Sequence, residues 1–228
     1  MRILITAGPT HEHIDPVRFI GNNSSGLQGI ELAKCASGPT RLWNTELGRN
    51  WDHEVVLVLG PTQLQIEEKE NLHIARVTSA DEMFKYVEDN FEDCDVAIFS
   101  AAVADYKPKT TSDKKIKRDG NDMTIELTPN RDIAMEMGKR KKSNQKTIGF
   151  ALETNDGVEN AIKKIEKKNL DFVVLNETSK DNPAFGSEFN QVTIIAKDGT
   201  QTKIDKTTKK DIAKSILSLV MDKLPFYE

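Results

Sequence analysis

The sequence predicts an α/β fold of the doubly wound, Rossmann-like kind: a mostly parallel sheet with helices on both faces and a β flap projecting from it. Three observations carry that expectation. Short runs rich in Val, Ile and Leu recur, and runs such as Val55-Val56-Leu57-Val58-Leu59 lack the polar alternation of a half-exposed sheet. Amphipathic helical patterns lie between those runs, in the strand–helix order of a parallel sheet. Small and hydroxyl residues follow the first strand, at the end of the sheet where doubly wound folds keep their ligands.

Taken in order, Arg2–Ala7 is the first strand, and Asn22-Asn23-Ser24-Ser25-Gly26 opens the first helix. Ser37–Asp52, with Gly38-Pro39, Gly48 and both tryptophans, reads as a loop-rich insertion before the strand Glu54–Leu59. His73–Thr78 is a weaker strand candidate. Ser79-Ala80-Asp81-Glu82 is a capping box, and the helix it opens runs to about Phe91. Asp95–Ala102 is a core strand. Tyr106–Asn130 then breaks the alternation. Six of the twelve residues from Lys107 to Arg118 are basic and Met123–Leu127 alternates like a hairpin strand, so a two-stranded flap is expected here. Thr147–Ala151 and Asp171–Asn176 are strands on either side of a helix at Gly157–Lys168, whose Val158, Ile162 and Ile165 share one stripe. Gln191–Lys197 and Gln201–Asp205, joined at Asp198-Gly199, form a hairpin. Thr208-Lys209-Lys210-Asp211 opens the last helix, with Ile212, Ile216, Leu219 and Val220 on one face.

With 228 residues the chain reads as a single α/β domain over 1–228, large enough for a core without metal or disulfide staples. A net charge of −4 argues against nucleic-acid coating. No apolar run approaches the ~18 residues of a membrane span, and the opening Met1-Arg2-Ile3-Leu4-Ile5-Thr6 turns polar too soon for a signal peptide. Cys35 and Cys94 form no C-x-x-C pair and fit a reducing compartment. A cytoplasmic protein that engages neither membrane nor nucleic acid is expected.

Thr6-Ala7-Gly8-Pro9-Thr10 and Asn22-Asn23-Ser24-Ser25-Gly26 place small and hydroxyl residues between a strand end and a helix N-terminus, where amides and the helix dipole favour an anion. Gly21 and Gly26 have P-loop spacing, but Leu27-Gln28 stands where a Walker A motif needs Lys-Ser/Thr, and no G-x-G-x-x-G is present. On pattern alone, a phosphate site and an ordinary turn remain equal readings. Ser100-Ala101-Ala102-Val103-Ala104-Asp105 would let a ligand approach the backbone, with Asp105 accepting from ribose or base; a capped strand end is the plain alternative. Lys114, Lys115, Lys117 and Arg118 form either a solvated face or a flap that closes on a triphosphate. Lys164 and Lys168 lie i,i+4 on one helix face, and Glu153 at a strand end is either a functional carboxylate or a helix cap. His11 and His13 have no partners that would complete a metal site, and none is predicted.

In combination, Ile5–Thr10, Ile14–Ile20, Asn22–Gly26, Ala101–Tyr106, Lys115-Ile116-Lys117, Gly149–Asn155 and Lys168–Asp171 resemble, in order, the phosphopantothenate–cysteine ligase family. The resemblance implies the second step of coenzyme A synthesis from pantothenate. The 4′-phosphopantothenate carboxylate attacks a nucleotide α-phosphate to give an acyl-nucleotide and pyrophosphate; the L-cysteine amine then displaces the nucleoside monophosphate. The Gly-Phe-x-x-Glu-Thr-Asn form resembles the bacterial, CTP-using branch, against ATP in animal relatives, with Mg²⁺ alongside the nucleotide. It further implies a homodimer and, in a stand-alone chain, a separate decarboxylase for the next step.

Residue by residue, the resemblance assigns Asn22 and Lys115 to catalysis, Asn22 holding the reacting carboxylate and Lys115 the triphosphate from the flap. Asn23, Ser24, Ser25 and Gly26 would donate from the helix end, and Arg18 would serve the substrate phosphate, across a dimer interface. Ala101 and Ala102 match the substrate loop. Gly8, Ser100, Ala101, Asp105, Arg131, Asp132, Ile133, Ala134, Phe150, Lys164 and Lys168 match the nucleotide site. Members commonly carry Lys directly after Ser-Ser-Gly, where this chain has Leu27, which makes Lys115 more important. Two other classes remain to be separated. A nicotinamide-dependent reductase or epimerase lacks its G-x-G-x-x-G and Tyr-x-x-x-Lys here. A non-catalytic nucleotide or RNA module lacks clustered flap aromatics.

Overall fold

A computed structural model describes residues 1–38, 53–177 and 186–222. The insertion expected at 37–52 lies, from residue 39 onward, outside the described residues.

The main sheet is built from β1 (Arg2–Ala7), β4 (Glu54–Leu59), β5 (Leu72–Arg76), β6 (Val96–Phe99), β9 (Lys146–Glu153), β10 (Phe172–Glu177), β11 (Phe189–Ala196) and β12 (Gln201–Thr208). Across the sheet the order is β5-β4-β1-β6-β9-β10-β11-β12. Every pair from β5 to β10 is parallel, and the β11–β12 hairpin adds two antiparallel strands at one edge. The unbroken apolar runs follow from that architecture. Ile3, Ile5, Val55 and Leu57 point into one buried layer and Leu4, Val56 and Val58 into the other, so neither face of the strand needs a polar side chain. Helices α1 (Leu27–Ala36) and α5 (Lys209–Met221) cover the first layer, and α2 (Ala80–Phe91), α3 (Ile133–Arg140) and α4 (Gly157–Lys168) cover the second.

Helix starts obey their local signals. Ser79 Oγ accepts from Glu82 N at 3.2 Å while Glu82 Oε2 accepts from Thr78 N at 2.6 Å and from Ser79 N at 3.5 Å, so the capping box of α2 is made. Thr208 likewise caps α5 by accepting from Asp211 N at 3.1 Å. Gly29 lets α1 lie directly on the sheet, since a Cβ there would meet Ala7 Cβ at 2.4 Å.

The structure departs from expectation in four places. β6 stops at Phe99 rather than Ala102 because the amides beyond it turn to the end of β1. Ala101 N donates to Thr6 Oγ1 at 3.2 Å, Ala102 N to Gly8 O at 2.9 Å and Ala104 N to Thr10 Oγ1 at 3.0 Å. The weaker candidate at His73–Thr78 is a strand at Leu72–Arg76. Met123–Leu127 is not the flap strand: the paired segments are β7 (Tyr106–Pro108) and β8 (Leu127–Pro129), with one further bond from Lys109 N to Glu126 O at 2.9 Å. Met123 and Leu127 are about half exposed, so their alternation has no buried face to satisfy. A second hairpin, β2 (His11–His13) with β3 (Phe19–Gly21), was not foreseen. Buried Asp15 organises its turn, accepting from Val17 N at 2.8 Å and Arg18 N at 2.9 Å. Buried Glu12 docks it on α2 by accepting from Ala80 N at 2.9 Å. Among the described residues no helix is long and apolar enough to cross a membrane.

Candidate functional site

The sheet order turns back between β1 and β6, so the carboxyl ends of these two strands open a crevice, the position where doubly wound sheets take ligands. A cleft of about 540 Å³ lies there, within the range of small-molecule sites. Its floor is the lacing of Thr6–Thr10 to Ala101–Ala104 just described, made from residues too small to fill the space above them.

The N-terminus of α1 forms one wall. Gly26, its N-cap, has φ +78°, and a Cβ there would meet Gly8 Cα and N at 3.0 Å. Only glycine lets the helix end come down this far onto the strand end. Gly26 offers no side-chain cap and the first turn holds no acidic residue. Ser24 Oγ accepts from Gly26 N at 3.3 Å and Ser25 Oγ from Leu27 N at 3.4 Å, both long bonds. Amide donors with such weak partners, at the positive end of a helix, attract an anion. Asn22 reaches across, its Nδ2 donating to Ala102 O at 2.9 Å.

The opposite wall is cationic. Asp132 caps α3 by accepting from Met135 N at 3.1 Å and pairs with Lys168 Nζ at 2.8 Å. Lys164 Nζ points to Phe150 O at 3.4 Å. Burial, and then the charge of Lys168, lower the Lys164 pKa against the opposing pull of Glu153, Asp132 and Asp105. Arg131 stacks over the Phe84 ring at 3.8 Å and pairs with Asp81 at 3.6 Å, which fixes the entry to α3. Asn130 bridges the walls, its Nδ2 donating to Ala104 O at 2.9 Å while its buried Oδ1 has no partner among the described residues.

Of the residues singled out from sequence, Asn22, Ser24, Ser25, Gly26, Ser100, Ala101, Ala102, Asp105, Arg131 to Ala134, Phe150, Lys164 and Lys168 line this one cleft. Gly8 lies against Gly26. Arg18, Asn23 and Lys115 do not line it; Asn23 is exposed between Asn22 and Ser24, which do. Arg18 Nη2 pairs with Asp15 at 2.8 Å and donates to Ile116 O at 2.5 Å, while Ile116 N donates to Asp15 Oδ2 at 3.1 Å, so the two residues meet where hairpin and flap are tied together. Lys115 is exposed beside that tie. Glu153 accepts from Asn160 Nδ2 at 3.1 Å and steadies α4. His11 and His13 are absorbed in the hairpin, His11 stacked on Phe19 at 3.7 Å. Gln28, Gly29, Asn130, Asn176, Asn190 and Lys209 also line the cleft and were missed. The last two come from β11 and α5, far along the chain from any glycine-rich signal.

Three comparisons bear on this geometry. The model of the DNA/pantothenate metabolism flavoprotein C-terminal domain matches residues 1–224. The chain is 40% identical over 215 residues to the coenzyme A biosynthesis bifunctional protein CoaBC of Bacillus subtilis (strain 168), covering 94% of this chain and 50% of that protein. It is 46% identical over 220 residues to a cysteine/cysteine sulfinic acid decarboxylase of an unknown prokaryotic organism, covering 96% of this chain and 58% of that protein. The chain thus spans about half the length of these curated relatives. The crystal structure of the C-terminal domain of CoaBC matches with a TM-score of 0.76 and 38% identity, covering 98% of this chain and 95% of that one. The chain belongs to the family of DNA/pantothenate metabolism flavoprotein C-terminal domains.

Proposed function

We propose that this domain is a phosphopantothenate–cysteine ligase of coenzyme A biosynthesis. The observation that carries the reading is one continuous cleft whose two walls both favour anions, with the neutral amide of Asn22 between them. The reaction brings together a carboxylate and a triphosphate, which repel each other in water. A site must offset both charges while keeping the attacking oxygen in line with the α-phosphorus. Asn22 can orient the carboxylate without trapping it as an ion pair. The α1 amides and Lys164 and Lys168 take up nucleotide charge, and Asp105 accepts from the nucleoside. Attack forms the acyl–phosphate bond and expels pyrophosphate. The cysteine amine then attacks the acyl carbon and the nucleoside monophosphate departs, leaving the amide.

CTP is the proposed nucleotide, with ATP as the competitor. Lys115 would close over the triphosphate as the flap moves, and Arg18 would serve the phosphate of phosphopantothenate in a homodimer. A decarboxylase, in the same polypeptide or another, would take the product onward. Mg²⁺ is proposed to accompany the nucleotide as part of the substrate; among the described residues no three His, Cys, Asp or Glu side chains converge.

The test is pyrophosphate release by the purified chain. It should require both CTP and 4′-phosphopantothenate, with CMP following only when L-cysteine is added; ATP is run in parallel. Release without phosphopantothenate, or tight NAD(P) binding with no nucleotide turnover, would defeat the reading. Carbon dioxide from cysteine or cysteine sulfinate in the same chain would support the decarboxylase relative's activity instead.

A further inference from the structure

We propose that Lys209 is the cation of an anion subsite at the α1 end of the cleft, where it receives the distal phosphates of the nucleoside triphosphate and then the pyrophosphate they become. The identity of the anion rests on the ligase reading; the subsite rests on geometry. Lys209 is the first residue of α5 and lines the cleft wall. It is only 7% exposed. Among the described residues its ammonium has neither an ion-pair partner nor a hydrogen-bond acceptor, and burial alone depresses its pKa. The other two cleft lysines differ: Lys168 has Asp132 and Lys164 has the Phe150 carbonyl.

As a purely structural residue Lys209 is badly placed on three counts. Its charge is desolvated, it lacks a counter-charge, and it stands at a helix N-terminus, the end that disfavours cations. A bound anion offsets all three. The surroundings are built for one. Gln28 Nε2 donates to Lys209 O at 3.1 Å, which ties Lys209 to the first turn of α1. At that end of α1 lie the weakly bonded Gly26 and Leu27 amides, with the Ser24 and Ser25 hydroxyls just ahead of the N-cap. Both helices enter from the carboxyl edge of the sheet, α1 after β1 and α5 after β12, so two positive helix ends and one ammonium share a corner.

The chemistry balances without a proton transfer. As the carboxylate oxygen bonds to the α-phosphorus, the bond from that phosphorus to the bridging oxygen breaks. The electron pair leaves on pyrophosphate, where a largely buried ammonium stabilises charge that is only forming in the transition state.

The experiment is calorimetric titration of the intact chain with inorganic pyrophosphate, CTP and CMP, for wild type, Lys209→Met, Lys209→Gln and Lys209→Arg, with melting temperature and amide formation measured alongside. Lys209→Met should lower affinity for pyrophosphate and CTP by roughly 10- to 100-fold, leave CMP nearly unchanged, and melt at or above wild type. Lys209→Arg should retain most of the affinity. Should Lys209→Met not fold, Lys209→Gln carries the same expectations. The proposal is overturned by a wild type that binds no pyrophosphate, by variants that bind it as tightly, or by equal losses for CMP and CTP, even where wild type forms the amide. Lys209-dependent pyrophosphate binding in a wild type that forms no amide would leave the subsite standing and remove the ligase reading.

Discussion

Asn22 and Lys115 separate two ways a residue can serve this cleft. Asn22 is exposed, and its side-chain amide donates to the Ala102 carbonyl at 2.9 Å. Its removal costs the fold about one ordinary hydrogen bond, ~1 kcal/mol, but under the proposed mechanism takes away the group that holds the carboxylate. Asn22→Ala should lower amide formation by on the order of 100-fold or more, with a small fall in melting temperature; unchanged turnover removes Asn22 from the mechanism. Lys115 has no ion pair among the described residues and stands outside the cleft, so it can contribute only after the flap moves. Lys115→Gln should weaken CTP use by roughly 10- to 1000-fold at unchanged melting temperature. Lys109 is the control: it pairs with Glu126 at 3.3 Å on the exposed surface, and such pairs contribute little. If Lys109→Gln and Lys115→Gln have equal small effects in steady-state assays, the basic run is a solvated face. These residues were legible because they sit in contiguous motifs after strands. Lys209 was not, because its meaning depends on α5 lying beside α1, which no local pattern states.

Elements were legible in proportion to how completely they are buried on a repeating pattern. β1, β4 and α4 begin and end where their patterns do, since a strand covered on both faces and a lysine-backed helix each repeat over many residues. The hairpins β2–β3 and β7–β8 have strands of three residues, too short to show any period. A buried carboxylate, Asp15, ties the β2–β3 turn to the flap. Burial by itself would raise the Asp15 pKa, but the amides of Val17, Ile116 and Arg18, with the Arg18 guanidinium, outweigh it and hold the pKa below the usual value. The sign follows: the carboxylate is the form the fold favours. Its contribution is full above the ordinary aspartate pKa and is lost as pH falls through the lowered one. Asp15→Asn should therefore loosen hairpin and flap together, with faster hydrogen exchange at the Val17 and Ile116 amides at neutral pH. Wild type should approach that behaviour only in strong acid. Protection unchanged at both amides would show that the carboxylate does not organise the tie.

At the scale of the molecule, the alternation of strands and helices announced a doubly wound sheet, but not its order. The return of the chain past β1 to lay down β6 is a long-range choice, and the cleft exists only because of it. The same scale decides the assembly. The homodimer implied by the family resemblance needs an association surface on this chain, and the exposed apolar side chains offer a candidate. Val17 is 59% exposed, Phe19 46%, Tyr106 53%, Met123 51% and Leu127 46%, and all five belong to the β2–β3 hairpin or the flap. These two units are joined through Asp15 and Ile116, and β2 lies against β7, so the exposed apolar side chains are carried by adjoining elements. Apolar groups gathered in this way mark an association surface more often than scattered ones do. A second copy would cover them and bring Arg18 towards its neighbour's cleft. Light scattering at micromolar concentration should give twice the chain mass. Val17→Asp with Tyr106→Asp should halve it, and amide formation should fall with dimer content while the melting transition of the monomer persists. A monomeric wild type that forms the amide at full rate would leave the patch without this role and return Arg18 to its own chain's flap.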